Sequence, residues 1–273
     1  MHEAVTIDGF TCYAPTLALG SNDFPIEVYS RFCLLENRHF WFRARNRIIL
    51  RTFRRYVARN ERPRILEVGC GTGYVLQGLA AEKCYEITGA DSNIEGLRYA
   101  RRRLPGIELV QVDARNLPYE SEFDAIGAFD VIEHVAEDEA VLTSFYRALK
   151  PGGIVVLTVP QHQWLWSSVD ERAGHKRRYA RQVLLDKLVA TGFDISYVTS
   201  FVTTLLPVLY VLRSAKRSHS STVANVDWSE LEIRQIANGI CSAAMLIDEM
   251  LIGCGISLPA GGSLLAVGRK KKP

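Results

Sequence analysis

Residues 65–76 read ILEVGCGTGYVL: an apolar run, a glycine-rich turn and the opening of a helical pattern. Aliphatic residues closed by glycine predict a short buried strand. Gly69, Gly71 and Gly73 predict a turn tight enough to bring bare backbone against a ligand. The spacing is G-x-G-x-G, which differs from the G-x-G-x-x-G of dinucleotide-binding turns. Glu67 stands two residues before the first glycine. An acid there suits a ligand with a cationic, methionine-like portion better than one led by a pyrophosphate.

Outward from that turn, short apolar runs alternate with helical stretches, which predicts β-α units and a parallel sheet. Strands are expected at 64–68, 86–91, 107–113, 124–131 and 154–159, with two more near 193–200 and 263–268. Helices are expected at 74–82, 92–103, 137–149 and 180–190. Open α/β sheets bind ligands at the carboxyl ends of their strands. Asp91 closes the second strand, where a carboxylate can accept both hydroxyls of a ribose. Asp113 and Ala114 close the third, in place to receive the exocyclic amine of adenine. Upstream, nine arginines fall between Arg43 and Arg64, and Arg47, Arg51, Arg54, Arg55 and Arg59 lie at helical spacing opposite Ile49, Phe53, Tyr56 and Val57. That pattern predicts an amphipathic helix ending before Pro63, with a solvated basic face.

The 273 residues are 48% hydrophobic, enough for a large core, so disorder is not expected. A net charge of +3 is too small to demand nucleic acid or a membrane as partner. Six cysteines form no C-x-x-C pair, and none lies near a histidine at metal-ligand spacing. A reduced, cytoplasmic chain without a metal is therefore expected. The start, MHEAVTIDGFTC, has no apolar stretch flanked by basic residues and predicts no secretory leader. The longest apolar run, 201–212, is shorter than the ~20 residues of a spanning helix, so no transmembrane segment is expected. Peripheral membrane contact through it stays open, as does a homodimer. The chain divides into an arm and covering helices (1–62, with 1–30 irregular), a core (63–201), a helical insertion (202–262) and a last strand with a basic tail (263–273).

The glycine turn, Glu67, Asp91 and Asp113 with Ala114 occur in that order, followed by FDAIGAFDVIEHV, LKPGGIVVLTVP and ATGF. As a set they resemble the class I S-adenosylmethionine-dependent methyltransferases over about residues 64–160, in particular a small-molecule branch similar to the ubiquinone-biosynthesis enzymes. The resemblance implies an α/β, Rossmann-like, seven-stranded sheet in the order 3-2-1-4-5-7-6, its last strand antiparallel, with a helical cover and a helical insertion. It implies S-adenosylmethionine as cofactor. Gly69, Gly71 and Gly73 would pack against its methionine part, Asp91 and Ser92 would meet the ribose, and Asp113 and Ala114 the adenine. Glu67 and Asp130 complete that set. HFWFRARN at 39–46 is similar to the covers such enzymes fold over their ligands, with Trp41 and Phe42 as shield and Arg43 or Arg45 on the methionine carboxylate.

Methyl transfer from a sulfonium is an in-line displacement, so the protein must chiefly align a nucleophile and exclude water. Where the acceptor must lose a proton, a histidine is suited to take it. His134 in FDVIEHV and His175 in GHKRRY are the candidate bases. His162, Trp164, Arg177, Arg178 and Tyr179 are candidate acceptor contacts, the guanidinium forks suiting a carboxylate or phosphate. Asp130 has no evident Asp-Asn partner for a metal. The reaction expected is methylation at oxygen or nitrogen of a small or lipid-linked metabolite bearing an acidic or hydroxyl group. Cyclisation of the cofactor and RNA methylation through the arginine-rich helix and the RKKKP tail are the alternatives. No nucleic-acid partner is expected, since no RNA-binding module is recognisable.

Overall fold

A computed structural model describes residues 4–18, 26–57, 62–217 and 234–272. Gly20, Pro25, Arg59 and the polar stretch beyond residue 217 lie outside the described residues. The chain opens with β1 (Val5–Ile7) and β2 (Phe10–Cys12), then α1 (Pro15–Ala18), α2 (Ile26–Leu35) and α3 (Phe40–Tyr56). The alternating part runs β3 (Arg64–Val68), α4 (Tyr74–Ala81), β4 (Glu86–Asp91), α5 (Ile94–Arg103), β5 (Glu108–Gln111), β6 (Phe123–Phe129), α6 (Asp138–Ala148) and β7 (Leu149–Pro160). It continues through α7 (Ser168–Arg172), α8 (Arg181–Thr191), β8 (Phe193–Phe201), α9 (Leu206–Arg217), α10 (Gln235–Gly253) and β9 (Ser263–Lys270).

Among the described residues these strands form one nine-stranded sheet, ordered β1-β2-β5-β4-β3-β6-β7-β9-β8. β3 to β7 are mutually parallel, and β9 runs antiparallel to both β7 and β8. The expected count of seven is thus corrected to nine. The two extra strands are a hairpin in the segment expected to be irregular. Val5-Thr6-Ile7 and Phe10-Thr11-Cys12 flank Asp8 and Gly9, whose φ angles of 51° and 75° are those of a two-residue hairpin turn. β2 then pairs in parallel with β5, burying Phe10 and Cys12.

The central strands are aliphatic on both faces because helices cover both. One face packs Ile48, Phe53, Leu76, Leu97 and Met245 from α3, α4, α5 and α10 against the sheet. The other packs Val141, Leu142, Phe145, Leu184 and Leu188 from α6 and α8. Gly69 has φ 72°, and a Cβ there would stand 2.4 Å from Val131 Cγ2, so the turn after β3 requires glycine.

The arginine-rich helix is not simply a solvated basic face. Arg47 grips Glu249 of α10 through Nε and Nη2 at 2.7 and 2.6 Å, and Arg51 donates to the Glu249 carbonyl at 2.9 Å. Arg54 pairs with Glu82, and Arg55 lies over the rings of Tyr56 and Tyr197. α10, the second helix of the insertion, has 19 residues and a mean hydropathy of 1.4, long and apolar enough by composition to cross a membrane. It docks on α3 through those arginines and through Asn238, whose Oδ1 accepts from the Phe40 amide at 2.8 Å.

Candidate active site

The carboxyl ends of β3, β4, β6 and β7 open into a cavity of about 1180 Å³, walled further by α2, α3, α9 and α10. Glu67, Gly69, Asp91, Ser92, Asp113, Ala114 and Asp130 line one half, with Trp41 and Phe42 from α3. Glu67 is buried, and its Oε2 has no hydrogen-bond partner among the described residues. Burial pushes its carboxyl well up, as do the neighbouring Asp91 and Glu36, while the Arg45 guanidinium pulls it down. Asp91 Oδ2 accepts from the Gly71 amide at 2.8 Å and Oδ1 from the Asn93 amide at 2.9 Å. Burial raises its pKa against those two bonds. Asp113 accepts from the Arg115 amide and side chain at 2.8–3.1 Å, capping a short turn at the rim. Gly71 and Gly73 shape the turn without lining the cavity.

Arg45, and not Arg43, faces this half. Its Nε lies 2.5 Å from Asp130 Oδ2, its Nη2 donates to the Phe129 carbonyl at 2.7 Å, and its guanidinium sits 5.0 Å over the Trp41 ring. Arg43 is exposed on the outer side of α3. Positions three and four apart share a helix face, so 45 follows Trp41 and Phe42 inward while 43 turns away. Glu36, Glu67, Asp91 and Asp130 ring this part of the cavity, an acidic setting suited to a cationic ligand. An unpartnered buried Glu67 oxygen within it fits the ammonium or sulfonium end of an S-adenosylmethionine-like molecule.

The other half holds His134 and His175, whose rings meet edge to face at 4.7 Å, with Glu133, Asp170 and Arg178. Asp170 Oδ1 lies 2.9 Å from His175 Nδ1. Burial would push the Asp170 carboxyl up, but the hydrogen bonds from His175 and Arg178 overcome it and hold it at about 2. Arg178 is committed to Asp170 through Nε and Nη2 at 2.7 and 3.0 Å.

Arg177 and Tyr179, expected as acceptor contacts, are not among the residues that line the cavity. Both turn to Asp138, Arg177 Nη1 at 2.8 Å and the Tyr179 hydroxyl at 2.7 Å. Residue 179 bridges Gln161 in parallel, so the chain there is extended and side chains alternate. Arg178 therefore points one way and its two neighbours the other. His162 and Trp164 stack on each other at 5.0 Å, likewise outside the lining. Sequence reasoning missed Glu133, Asp170, Tyr29 and His39, all of which line the cavity. Glu133 was legible as the acid beside His134 in FDVIEHV, and Asp170 as the acid of an S-x-x-D capping box with Ser167; Tyr29 and His39 carry no spacing signal.

Residues 66–157 match the family model described as a methyltransferase domain. A probable S-adenosylmethionine-dependent methyltransferase of Mycolicibacterium smegmatis is 26% identical over 164 residues, covering 59% of this chain and 62% of the relative. A ubiquinone biosynthesis O-methyltransferase of Dechloromonas aromatica is 36% identical over 103 residues, 35% of this chain and 43% of the relative. The chain thus spans less than two thirds of the length of either. Among solved structures, phosphoethanolamine N-methyltransferase 2 of Haemonchus contortus in complex with S-adenosylmethionine superposes with a TM-score of 0.54 at 20% identity, covering 81% of this chain and 51% of that one. At that identity the likeness is one of fold. Residues 66–157 therefore carry a class I S-adenosylmethionine-dependent methyltransferase domain, with an acid-ringed cavity at the carboxyl ends of its parallel sheet and a glycine turn at the cavity floor.

Proposed function

We propose that this chain transfers a methyl group from S-adenosylmethionine to an oxygen or nitrogen of a small or lipid-linked acceptor that carries a hydroxyl or acidic group. The observation that carries this reading is the division of the cavity. Its acidic half includes Trp41, and its other half, which holds the two histidines, is walled by Leu165, Val169, Val202, Leu205 and Leu209. Val208 and Leu212 are exposed on α9 and extend that apolar wall toward the surface, which supports an acceptor with an apolar body. Arg45, Arg47, Arg51 and Arg54 of α3 are engaged within the chain, which favours a small molecule over RNA.

The bound cofactor supplies an electrophilic methyl on a sulfonium. Glu67 and Asp91 hold its cationic and ribose portions, and Trp41 and Phe42 keep water from the half they cover. His134 or His175 takes the acceptor proton as its oxygen or nitrogen attacks. The ionised Asp170 carboxylate accepts from Nδ1–H of His175, so Nε2 carries the basic lone pair.

The test is calorimetric titration with S-adenosylmethionine and S-adenosylhomocysteine, followed by screening of hydroxylated and acidic apolar acceptors for S-adenosylhomocysteine release. Asp91→Ala should weaken S-adenosylhomocysteine binding about a hundredfold, the loss of two charge-assisted hydrogen bonds. Equal affinity in the variant would sink the assignment of this half to the cofactor. Trp41→Ala should weaken the same ligand about tenfold by removing one aromatic wall; an unchanged affinity would take Trp41 out of the cover.

A further inference from the structure

Glu133 has no role in the site as described so far. Its carboxylate is 0% exposed, and neither Oε1 nor Oε2 has a hydrogen-bond partner among the described residues. A buried carboxyl group without a partner is costly, and it stays charged only beside a compensating cation. Two imidazoles face it. His175 Nε2 lies 4.0 Å from Glu133 Oε1, and the His134 ring meets His175 edge to face at 4.7 Å. One ligand atom from each of the three residues lies within 4.8 Å of the other two, and all three residues line the cavity.

The surroundings orient these groups. Asp170 accepts from Arg178 at 2.7 and 3.0 Å and from the Ser167 amide at 2.9 Å, so it stands as a carboxylate beside His175 Nδ1. That places the proton on Nδ1 and turns the Nε2 lone pair toward Glu133. A carboxylate behind a histidine is the usual outer support of a metal-bound imidazole. The Lys176 amide donates to the Glu133 carbonyl at 2.7 Å, tying the segment after β6 to the one that carries His175.

We infer that Glu133, His134 and His175 form a binding site for one divalent first-row transition-metal ion, opening on the acceptor half of the cavity. Two imidazoles and a carboxylate suit zinc, iron or cobalt, and three protein ligands leave a coordination position for an incoming oxygen. Bonds of about 2.0–2.1 Å place neighbouring ligand atoms about 3.3 Å apart, so the cluster closes by about an ångström around the ion. The sequence suggested no metal because its cysteines lack ligand spacing; this set needs no cysteine.

The role of the ion rests on the methyl-transfer reading. With the ion bound, the histidines are ligands, and the ion replaces them in activating the acceptor. A hydroxyl on the open position loses its proton to solvent more readily. Its oxygen then forms the O–C bond to the methyl as the C–S bond breaks, and that electron pair stays on sulfur as a neutral thioether.

The test titrates the full chain, stripped with EDTA, with Co²⁺ and Zn²⁺. The expected result is one Co²⁺ per chain with visible ligand-field absorption, displaced by Zn²⁺, and at least about tenfold weaker binding in Glu133→Gln and in His175→Gln. S-adenosylhomocysteine titration and thermal melting of each variant show whether it is folded, and either variant alone suffices. The inference is overturned if the folded wild type takes up neither ion stoichiometrically, or if a folded variant binds Co²⁺ as tightly as the wild type. Metal uptake without S-adenosylhomocysteine binding would instead overturn the methyl-transfer reading and leave the metal site standing.

Discussion

Asp170→Ala should cost about 3 to 5 kcal/mol of folding stability in the ligand-free, metal-free chain, because it strands a charge whose partner is gone. The Asp170 side chain is 1% exposed and the Arg178 side chain 10%. The carboxylate's contacts are internal: His175 at 2.9 Å, Arg178 at 2.7 and 3.0 Å, the Ser167 amide and hydroxyl at 2.9 and 3.2 Å in the capping box of α7, and Arg213 at 3.8 Å. Without it the Arg178 guanidinium keeps, among the described residues, the hydrogen bond to the Gln161 carbonyl at 3.3 Å. The double variant Asp170→Ala/Arg178→Ala should therefore cost less than the sum of the two single variants, by about 1 to 3 kcal/mol. Urea denaturation of the four proteins measures this directly. Additive losses would mean that the two groups do not share one buried interaction.

A second large effect is expected in acid. Relative to His39→Gln, the wild type should lose about 3 kcal/mol of stability as pH falls from 6.5 to about 4. His39 is 7% exposed, and its Nδ1 accepts from the Trp41 amide at the start of α3. Burial lowers its pKa from 6.5 to about 4. Above 6.5 the ring is neutral in both states and contributes no slope. Between the two values the unfolded chain binds a proton that the folded chain refuses, so stability falls with pH; below about 4 both states are protonated. Glu67 and Asp91, raised by burial, work in the opposite sense, because the folded state then takes up protons first. The readout is therefore the difference between the two proteins across pH, in which those groups cancel. Loss of the cap in the variant shifts its curve by a constant. Parallel curves would mean that His39 binds its proton in the folded chain.

The parts of the fold that were legible in sequence are those whose signal is local. The runs at 64–68 and 86–91 have the bounds of β3 and β4, because aliphatic residues ended by a turn or an acid specify a buried parallel strand without outside help. The hairpin at Val5–Cys12 was written in its Asp8-Gly9 pair, but strands of three residues are too short for a periodicity reading. Its place at the edge beside β5 comes from Phe10 and Cys12 finding cover there. The arginine-rich helix likewise showed its amphipathic period, yet sequence spacing could not say that Arg47 and Arg51 would hold α10, a partner nearly two hundred residues away in the chain.

The site divides in the same way. Glu67, Gly69, Asp91 and Asp113 could be read in sequence because each closes a strand, and strand ends in this topology converge on one edge of the sheet. In GHKRRY the residue types were legible and their directions were not. An extended backbone sends Arg178 to Asp170 and its neighbours to Asp138, and only pairing with Gln161 makes that backbone extended. Glu133, His134 and His175 come together only when the segment after β6 and the segment after α7 close on each other. By itself, then, the sequence determined the strands, the glycine turn and the acids at the strand ends, because these depend on neighbours within a few residues. Which arginine enters the cavity, which residues of the basic block turn away and which histidine meets Glu133 were decided by the tertiary structure, because a side chain's direction and partners are set by contacts between distant segments.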